Sequence, residues 1–242
     1  MRRPRPPLTF AAVPGRVHPD DDMKRPEDED AAHYARVGHS AVAAIGSGLA
    51  AAGRSFGDVD SCLDMPCGYG RVLRMLTQEI PGERITACDV NRRAIAFCAA
   101  EFGATPLRST PSLERTRLGR YDLIWCGSLV THLDERRVQL LLAHLAGALV
   151  PGGVAIVTIH GEPPASGPYV SLRDEIGSAL RQRGQFHISY ENALFEYGHA
   201  WHTPEYISRA FVAASNDGVR LASHEPCGWD DHQDVLAFQR EA

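Results

Sequence analysis

The strongest constraint on the fold is a pair of short apolar runs that each end in an aspartate, with a glycine-rich loop after the first. The first run ends at Leu63 and Asp64, and the loop that follows contains Gly68 and Gly70. The second run ends at Asp89, 19 residues after Gly70. This order is typical of a strand, a loop, a helix and a second strand, in which the loop lets a ligand approach the bare backbone. Because the second acid is placed to accept hydrogen bonds from a ribose, the sequence predicts a nucleoside-containing cofactor.

The composition indicates one ordinary globular domain. A chain of 242 residues can bury one substantial core. The net charge of −5 does not favour a nucleic-acid partner, and no apolar run is long enough to cross a bilayer. The six cysteines have no paired spacing, as expected for reduced thiols. We therefore expect a cytoplasmic protein with no nucleic-acid or membrane partner, and the oligomeric state stays open.

Strands and helices are expected to alternate through the middle of the chain. Residues 1–29, rich in proline, arginine and acids, predict a disordered or extended arm, followed by a helix from about Asp30 to Ala52. The candidate strands are Ser61–Met65, Arg84–Asp89, Thr105–Leu107, Tyr121–Cys126 and Gly153–Ile159, and the candidate helices are Arg71–Ile80, Asn91–Phe102 and Asp134–Leu149. Apolar strands separated by helices predict a parallel sheet covered on both faces.

The last third of the chain has a different character. Residues 162–202 combine a helix-like piece with an aromatic stretch, and Thr203-Pro204 is a typical helix start. Val219–His224 and Val235–Phe238 predict two strands that close the sheet as an antiparallel pair. We expect residues 30–242 to form a single domain, in which residues 162–202 are an insert that covers the substrate.

The loop does not carry the signature of the common nucleotide-binding loops. A dinucleotide-binding loop has a third glycine at the position of Leu73, and no Gly-Lys-Ser/Thr of a P-loop follows Gly70. The chain instead resembles the class I S-adenosylmethionine-dependent methyltransferases. Residues Asp64–Gly70 are similar to the first motif of that family, and Asp89 is similar to its ribose-binding acid.

Two further motifs extend the resemblance over about residues 58–160. Tyr121–Cys126 is similar to the fourth-strand motif, and Leu149–Gly153 is similar to the entry of the fifth strand. The resemblance implies a Rossmann-like, doubly wound, seven-stranded α/β sheet, mostly parallel with an antiparallel last strand and helices on both faces. It also implies S-adenosylmethionine as cofactor, bound across the carboxyl ends of the strands, with S-adenosylhomocysteine as product.

The resemblance also implies a role for individual residues. Gly68 and Gly70 would let the backbone approach the cofactor, Asp64 would face its amino group, Asp89 would bind the ribose hydroxyls and Val90 would pack on the adenine. The full expected set is Tyr34, Asp64, Pro66, Cys67, Gly68, Gly70, Asp89, Val90, Ser109 (or Thr110), Cys126, Gly127 and Ser128. Three alternatives stay open, namely that Asp64 caps a turn, that Asp89 caps the next helix, and that Tyr34 belongs to an apolar helix stripe rather than to a lid.

The acceptor side is expected to be built from histidine and aromatic residues. His132 and His160 follow the fourth and fifth strands and are candidate general bases, the alternative for His132 being a role in loop shape only. Tyr190, Tyr197, His199 and Trp201 are expected to line an acceptor pocket, with His199 and His202 at the spacing of one helical turn. No cysteine or histidine motif indicates a metal.

The loop after the fourth strand reads Cys126-Gly127-Ser128-Leu129, without the Asn/Asp-Pro-Pro motif of amino-methylating enzymes. We therefore expect O-methylation of a small molecule, such as a sugar or natural-product hydroxyl. The alternatives are an NAD(P)-dependent Rossmann oxidoreductase and a catalytically silent, methyltransferase-like binding module.

Overall fold

The protein folds around a seven-stranded sheet and a separate two-stranded sheet. The structure is a computed structural model, and it describes residues 13–24, 31–191, 197–216 and 218–241. The strands are β1 (Cys62–Asp64), β2 (Ile85–Asp89), β3 (Thr105–Arg108), β4 (Tyr121–Cys126), β5 (Leu149–Ile159), β6 (Gln185–Ser189), β7 (Gly198–His202), β8 (Val219–Trp229) and β9 (Gln233–Arg240). The α-helices are α1 (Ala32–Ala51), α2 (Leu73–Leu76), α3 (Arg92–Phe102), α4 (Glu135–Ala148), α5 (Arg173–Arg183) and α6 (Pro204–Ala214).

The large sheet has the order β3-β2-β1-β4-β5-β9-β8. Strands β1 to β5 are parallel, and β9 runs antiparallel between β5 and β8. This confirms the predicted mostly parallel sheet with an antiparallel last strand. Strands β2 and β4 pair with opposite edges of β1, so the strand order of the sheet reverses direction between β1 and β4. At such a reversal the loops leave in opposite directions, which opens a crevice at the carboxyl ends of these strands.

Local sequence signals fix the ends of the helices. Asn91 accepts the N–H groups of Arg93 and Ala94 at the start of α3, and α3 ends at Gly103 in the left-handed conformation. Thr203 accepts the N–H of Tyr206 and is followed by proline at the first helical position of α6. These are the side-chain acceptors and the glycine stop that helix ends require.

Each face of the sheet carries its own apolar core. On one face α1 packs through Val37, Ala41, Ile45 and Leu49, together with α2 and α3. On the other face α4 and α6 pack on inward-facing strand residues such as Ile124. Burial on both faces is the reason that the strands of this parallel sheet are apolar throughout.

Three elements differ from the sequence prediction. Strand β5 begins at Leu149 rather than Gly153, because it pairs with Tyr121 before a bulge. The regular part of α2 is only Leu73–Leu76, flanked by turns with mixed hydrogen-bond spacing. The sequence pattern predicts no strand in the aromatic stretch, whereas β6 and β7 pair within it as an antiparallel sheet.

Residues 13–24 pack against the domain without forming a helix or strand. The buried guanidinium of Arg74 donates to the carbonyl oxygens of Pro14 at 2.7 Å and Arg16 at 3.1 Å. The hydroxyl of Tyr34 donates to Asp21 at 2.7 Å. The rest of the predicted arm, residues 1–12 and 25–29, lies outside the described residues. The domain boundary at residue 30 remains a prediction.

Candidate active site

The two loop glycines are required for different reasons. Both have positive φ, +49° at Gly68 and +81° at Gly70, a conformation that favours glycine. A Cβ added at Gly68 would meet nothing within 4 Å, whereas one at Gly70 would lie 2.9 Å from Phe102 and 3.2 Å from Cys98. Gly68 therefore faces open space that a ligand can enter. Gly70 is required by its close packing on α3, and its expected contact with the cofactor stays a prediction.

Asp64, the last residue of β1, is a buried acid without a partner. Its side chain is fully buried, and neither carboxylate oxygen has a hydrogen-bond partner among the described residues. Burial, and then the charge of Asp89, raises the pKa of Asp64 well above its ordinary value. The alternative role as a turn cap is therefore wrong. A buried, unpaired acid at the end of a strand fits a cationic ligand group, because such a group would supply the missing charge and donors.

Asp89, the last residue of β2, holds the loop and remains at the edge of the crevice. Its Oδ2 accepts the N–H of Gly68 at 2.9 Å, and its Oδ1 accepts the N–H of Asn91 at 2.8 Å. The cap of α3 is Asn91 rather than Asp89, so that alternative is also wrong. Burial raises the pKa of Asp89, although the N–H donors act in the opposite direction. The next side chain, Val90, is 47% exposed, so an apolar surface lies beside the carboxylate.

Other residues of the expected cofactor set lie along the same edge. The N–H of Cys67 donates to the backbone carbonyl of Cys88 at 3.0 Å, and that of Ser109 donates to the backbone carbonyl of Asp89 at 3.0 Å. Pro66 lies between Met65 and Cys67 in the loop, and Cys126 is fully buried at the end of β4. The ends of β1, β2, β3 and β4 are thus tied together around the glycine loop.

A buried polar network fixes the loop after β4. The N–H of Ser128 donates to the hydroxyl of Thr158 at 2.8 Å, and Thr158 donates to Gln233 at 2.6 Å. The hydroxyl of Ser128 also lies 3.1 Å from that of Thr131 and accepts from Gln233 at 3.0 Å. Gly127 has no room for a side chain, since a Cβ would lie 2.8 Å from Trp125. Because every member is bonded, the network orients this loop rigidly.

Sequence reasoning missed this network. The available signal was the position of Thr158, a polar residue inside the apolar run of β5, and of Gln233 at the start of β9. A buried hydroxyl in such a strand needs a partner, and the partner lies 75 residues away.

Tyr34 is turned toward the segment that precedes its helix. The residue is fully buried, its hydroxyl is bonded to Asp21, and the Arg74 guanidinium carbon lies 5.5 Å from the centre of its ring. Burial, and then the charge of Asp21, raises the pKa of Tyr34. In this structure Tyr34 anchors residues 13–24 to the domain, which is closer to the apolar-stripe alternative than to a lid over the cofactor.

The expected acceptor residues share one face of the β6–β7 sheet. Phe186 pairs with Trp201 and Ile188 with His199, and the N–H of Tyr190 donates to the carbonyl of Tyr197 at 3.0 Å. Because side chains alternate along a strand, these six residues lie on the same side. We call this the ring face. Its signal was present in the sequence, since apolar and polar residues alternate from Gln185 to Tyr190.

His202 is not part of the ring face. His199 and His202 are three positions apart in β7, which places them on opposite sides of the strand. The helical-turn spacing expected for them is therefore wrong. His202 is buried near the ring of Tyr206, and burial lowers its pKa to about 3.

His132 lies against the ring face with a defined tautomer. Its ring stacks on Tyr197 with 4.9 Å between centroids, and its Nδ1 lies 2.7 Å from the carbonyl oxygen of Gly198 and 3.0 Å from the Tyr190 hydroxyl. A carbonyl oxygen only accepts, so Nδ1 carries the proton and Nε2 carries the lone pair. Burial lowers the pKa of His132, so its imidazole is neutral at neutral pH. His132 thus has the form that a general base requires.

His160 and His199 complete the histidine group at this edge. His160 donates through Nδ1 to the carbonyl of Ala200 at 3.2 Å, and burial, then the neighbouring His232, lowers its pKa to about 3. The ring of His199 makes edge contacts with the rings of Tyr169 and Tyr190, and burial lowers the pKa of His199 to about 4. Within the described ranges, no group of three or more histidine, cysteine or acidic side chains is arranged to hold a metal ion.

The two halves of the site lie within electrostatic reach of each other. Besides burial and Tyr190, the charges of Asp89 and Asp22 raise the pKa of Tyr197. Tyr197, at one end of the ring face, therefore lies within reach of the charge of Asp89.

No helix of the described part of the chain combines the length and hydropathy needed to cross a membrane.

Comparison with known proteins agrees with this geometry. Residues 63–155 match the family described as a methyltransferase domain. The structure is similar to a S-adenosylmethionine-dependent methyltransferase from Clostridium acetobutylicum, with 13% identity, a TM-score of 0.58, and coverage of 84% of this chain and 92% of that chain. It is also similar to human N-acetylserotonin methyltransferase solved with S-adenosylmethionine, with 15% identity, a TM-score of 0.56, and coverage of 85% and 52%.

A third similar structure is an N-methyltransferase from Bradyrhizobium japonicum solved with S-adenosylhomocysteine, with 12% identity, a TM-score of 0.56, and coverage of 91% and 95%. The chain spans only about half the length of the human enzyme. Among curated proteins, none matches this sequence at significant similarity.

The methyltransferase-domain match over residues 63–155 and the order of the sheet agree with the class I S-adenosylmethionine-dependent methyltransferase family expected from the glycine loop. The cofactor of this class is S-adenosylmethionine, and the unpaired Asp64 carboxylate and the open space at Gly68 fit it.

Proposed function

We propose that the protein transfers the methyl group of S-adenosylmethionine to a hydroxyl group of a small-molecule acceptor held against the ring face. The observation that carries the cofactor half is the fully buried, unpaired carboxylate of Asp64 beside the open Gly68 loop. The observation that carries the acceptor half is the neutral His132, whose Nε2 is left to act as a base.

The cofactor residues have separate tasks in this proposal. Asp64 binds the ammonium group, which offsets the cost of keeping a carboxylate buried. Asp89 accepts from the ribose hydroxyls, since its two oxygens have about four acceptor sites and backbone N–H groups of Gly68, Asn91 and Val90 occupy three of them. Val90 covers the adenine ring with its exposed side chain. Gly68 leaves space for the ligand, and Ser109 lies near the adenine edge.

Catalysis by the chain's own residues consists of positioning and proton removal. When bound, the cofactor supplies an already activated methyl group on its sulfonium. His132 accepts the acceptor's hydroxyl proton at Nε2, while the Gly198 carbonyl and the Tyr190 hydroxyl keep Nδ1 and the ring in place. The ring face excludes water and orients the acceptor. His160 is the weaker candidate base, because a pKa of about 3 gives it little proton affinity.

The methylated atom is a separate part of the proposal. The similar structures include an N-methyltransferase, so the fold itself does not favour oxygen over nitrogen. A hydroxyl is favoured here because it benefits from a base such as His132, whereas a neutral amine attacks without prior deprotonation.

The absence of nucleic-acid and membrane partners and the cytoplasmic location remain expectations from composition.

The proposal is tested first by calorimetry with S-adenosylhomocysteine and with NAD. Binding of S-adenosylhomocysteine alone supports the proposal, and binding of NAD alone overturns it in favour of an oxidoreductase.

A second experiment follows transfer of a labelled methyl group to a library of hydroxyl compounds. Cofactor binding without transfer to any hydroxyl compound would favour a silent binding module or a different acceptor atom.

A further inference from the structure

The histidines at the ring face are neutral at neutral pH, because they are buried and no carboxylate stabilises their protonated form. Burial is the main cause of the lowered pKa of His132, His160 and His199. The remaining causes are backbone carbonyls and other histidines, and no carboxylate contributes among the described groups. A carboxylate that faced these rings would raise their pKa instead. Phe186, Ile188 and Trp201 pack against Ile176 and Leu180 of α5, so the uncovered part of the ring face is formed by Tyr190, Tyr197 and His199. This part presents flat, uncharged surfaces at neutral pH.

One buried nitrogen on this surface has no partner among the described residues. The Nδ1 atom of His199 is buried and makes no hydrogen bond within the described residues. Its ring lies 4.5 Å from Tyr169, 5.2 Å from Tyr190 and 5.9 Å from Trp201, measured between centroids. A buried polar atom of this kind is costly unless a ligand or water satisfies it. The neighbouring His160 differs in this respect, because its Nδ1 is bonded to the carbonyl of Ala200. The sequence alone does not reveal this difference between the two histidines.

We propose that the acceptor is an uncharged compound with a planar ring, and that a second polar group of this compound hydrogen-bonds to Nδ1 of His199. This inference rests on the proposed function, since it places the acceptor on the ring face of the same site. His199 is then a specificity-determining residue, distinct from the base His132. A dihydroxybenzene has the required chemistry, because one hydroxyl reacts while the other reaches His199.

Two observations favour this class over other acceptors. A sugar presents several hydroxyls and needs several polar partners, whereas the ring face offers mainly ring surfaces, with the tyrosine hydroxyls and one buried unpaired nitrogen at their edges. An anionic acceptor is disfavoured because the negative charges of Asp89 and Asp22 reach Tyr197 at the same surface, where they raise its pKa. These charges would repel an anion, and the neutral imidazoles offer no positive charge to offset them. Rings of Tyr, His and Trp provide the offset and edge contacts that an aromatic ligand prefers.

The experiment measures dissociation constants by calorimetry for four probes, with and without S-adenosylhomocysteine. The probes are resorcinol, phenol, 3,5-dihydroxybenzoate and methyl glucopyranoside. We expect resorcinol to bind about tenfold more tightly than phenol, which lacks the second hydroxyl, and more tightly than the benzoate or the glucoside. In His199→Phe, which keeps a ring, the advantage of resorcinol over phenol should disappear while phenol still binds.

A matched control is His39→Phe, since His39 is exposed on α1 and should leave all four affinities unchanged. An unchanged preference for resorcinol in His199→Phe, or tighter binding of the glucoside than of either phenol, would overturn the inference. If S-adenosylhomocysteine binds but none of the ring compounds does, the inference is wrong and the proposed function stands. If S-adenosylhomocysteine fails to bind in the same samples, the proposed function itself is wrong.

Discussion

The carboxylate of Asp89 accepts the backbone N–H of Gly68 over 2.9 Å. One side chain at the end of β2 thereby holds the loop that follows β1, at the residue where the loop faces open space. The second oxygen holds the start of α3 through Asn91. Asp89 therefore shapes the cofactor site before any ligand arrives, and its substitution should affect both the loop and the ligand.

Asp89→Asn should weaken S-adenosylhomocysteine binding by about 1.5–3 kcal/mol, because it removes a charged acceptor of hydrogen bonds. The amide has one acceptor oxygen, so it cannot keep both the Gly68 and Asn91 contacts. Calorimetry measures the affinity and circular dichroism checks the fold. Asp60→Asn is the matched control, since Asp60 is an exposed acid that pairs with Arg84 outside the site. Equal affinities in a folded Asp89→Asn protein would contradict the ribose role.

Gly68→Ala should reduce cofactor affinity much more than it reduces stability. Gly103 provides the comparison, because it too has a positive φ and open space where a Cβ would lie. Both substitutions should cost about 1–2 kcal/mol of folding free energy from the left-handed backbone. Only the change at Gly68 should weaken S-adenosylhomocysteine binding. Similar binding by the two variants in calorimetry would show that the space at Gly68 is not used by the ligand.

Asp64→Asn should stabilise the ligand-free protein in a pH-dependent way. The folded pKa of Asp64 is raised, so stability is lost as pH rises from the ordinary aspartate pKa of about 3.9 toward the folded value. Over that window the parent should lose about 1.4 kcal/mol per pH unit relative to the variant.

Urea unfolding at a series of pH values measures this difference. The two proteins should be alike near pH 4 and diverge above it, while S-adenosylhomocysteine should stabilise the parent more than the variant. A constant difference across the pH range would show that Asp64 is ionised without cost in the fold.

His132→Ala should reduce the methyl-transfer rate by about 10²–10⁴-fold, with cofactor affinity retained. Because the pKa of His132 is lowered, the parent's activity should fall only below the ordinary histidine pKa of about 6.5 and stay level above it. Rates measured with a labelled cofactor over pH 5–8 check both points. His39→Ala serves as the exposed control. Undiminished turnover in His132→Ala would leave His132 with a role in loop shape only.

Tyr34→Phe should loosen residues 13–24 and leave cofactor affinity almost unchanged. The change removes the hydroxyl that donates to the buried Asp21, at a cost of about 1–3 kcal/mol. Hydrogen exchange of residues 13–24 measures the loosening. Tyr206→Phe is the control, because its hydroxyl donates to Glu135 at the other side of the domain. Weaker cofactor binding with an unchanged segment would instead support the lid role.

The strand-loop-helix-strand unit around the expected cofactor site could be predicted from sequence because its signals are local. The strand ends at Asp64 and Asp89, and the glycines between them lie within one strand-loop-helix-strand unit. Even here the reason for Gly70 was not visible, since it depends on Phe102, which approaches from the end of α3.

The acceptor half was less predictable because its contacts join distant parts of the chain. The residues proposed for it do come together, but as two paired strands with His199 and His202 on opposite sides. The partner of His132 is the carbonyl of Gly198, 66 residues away. A backbone carbonyl has no sequence signature, so such a contact cannot be found by motif.

The burial of Arg74 has a consequence for how this protein can vary. Its permanent charge depends on carbonyl oxygens of residues 14 and 16, which any amino acid can supply. Substitutions at residues 14 and 16 should therefore keep both bonds, whereas Gly15 between them is constrained by its φ of +70° and by Phe102, 2.8 Å from where a Cβ would lie. Deletions or cleavage would leave the charge of Arg74 inside the protein without these acceptors. In related chains that keep this arginine, the length and path of the chain before α1 should persist even where its amino-acid identities do not.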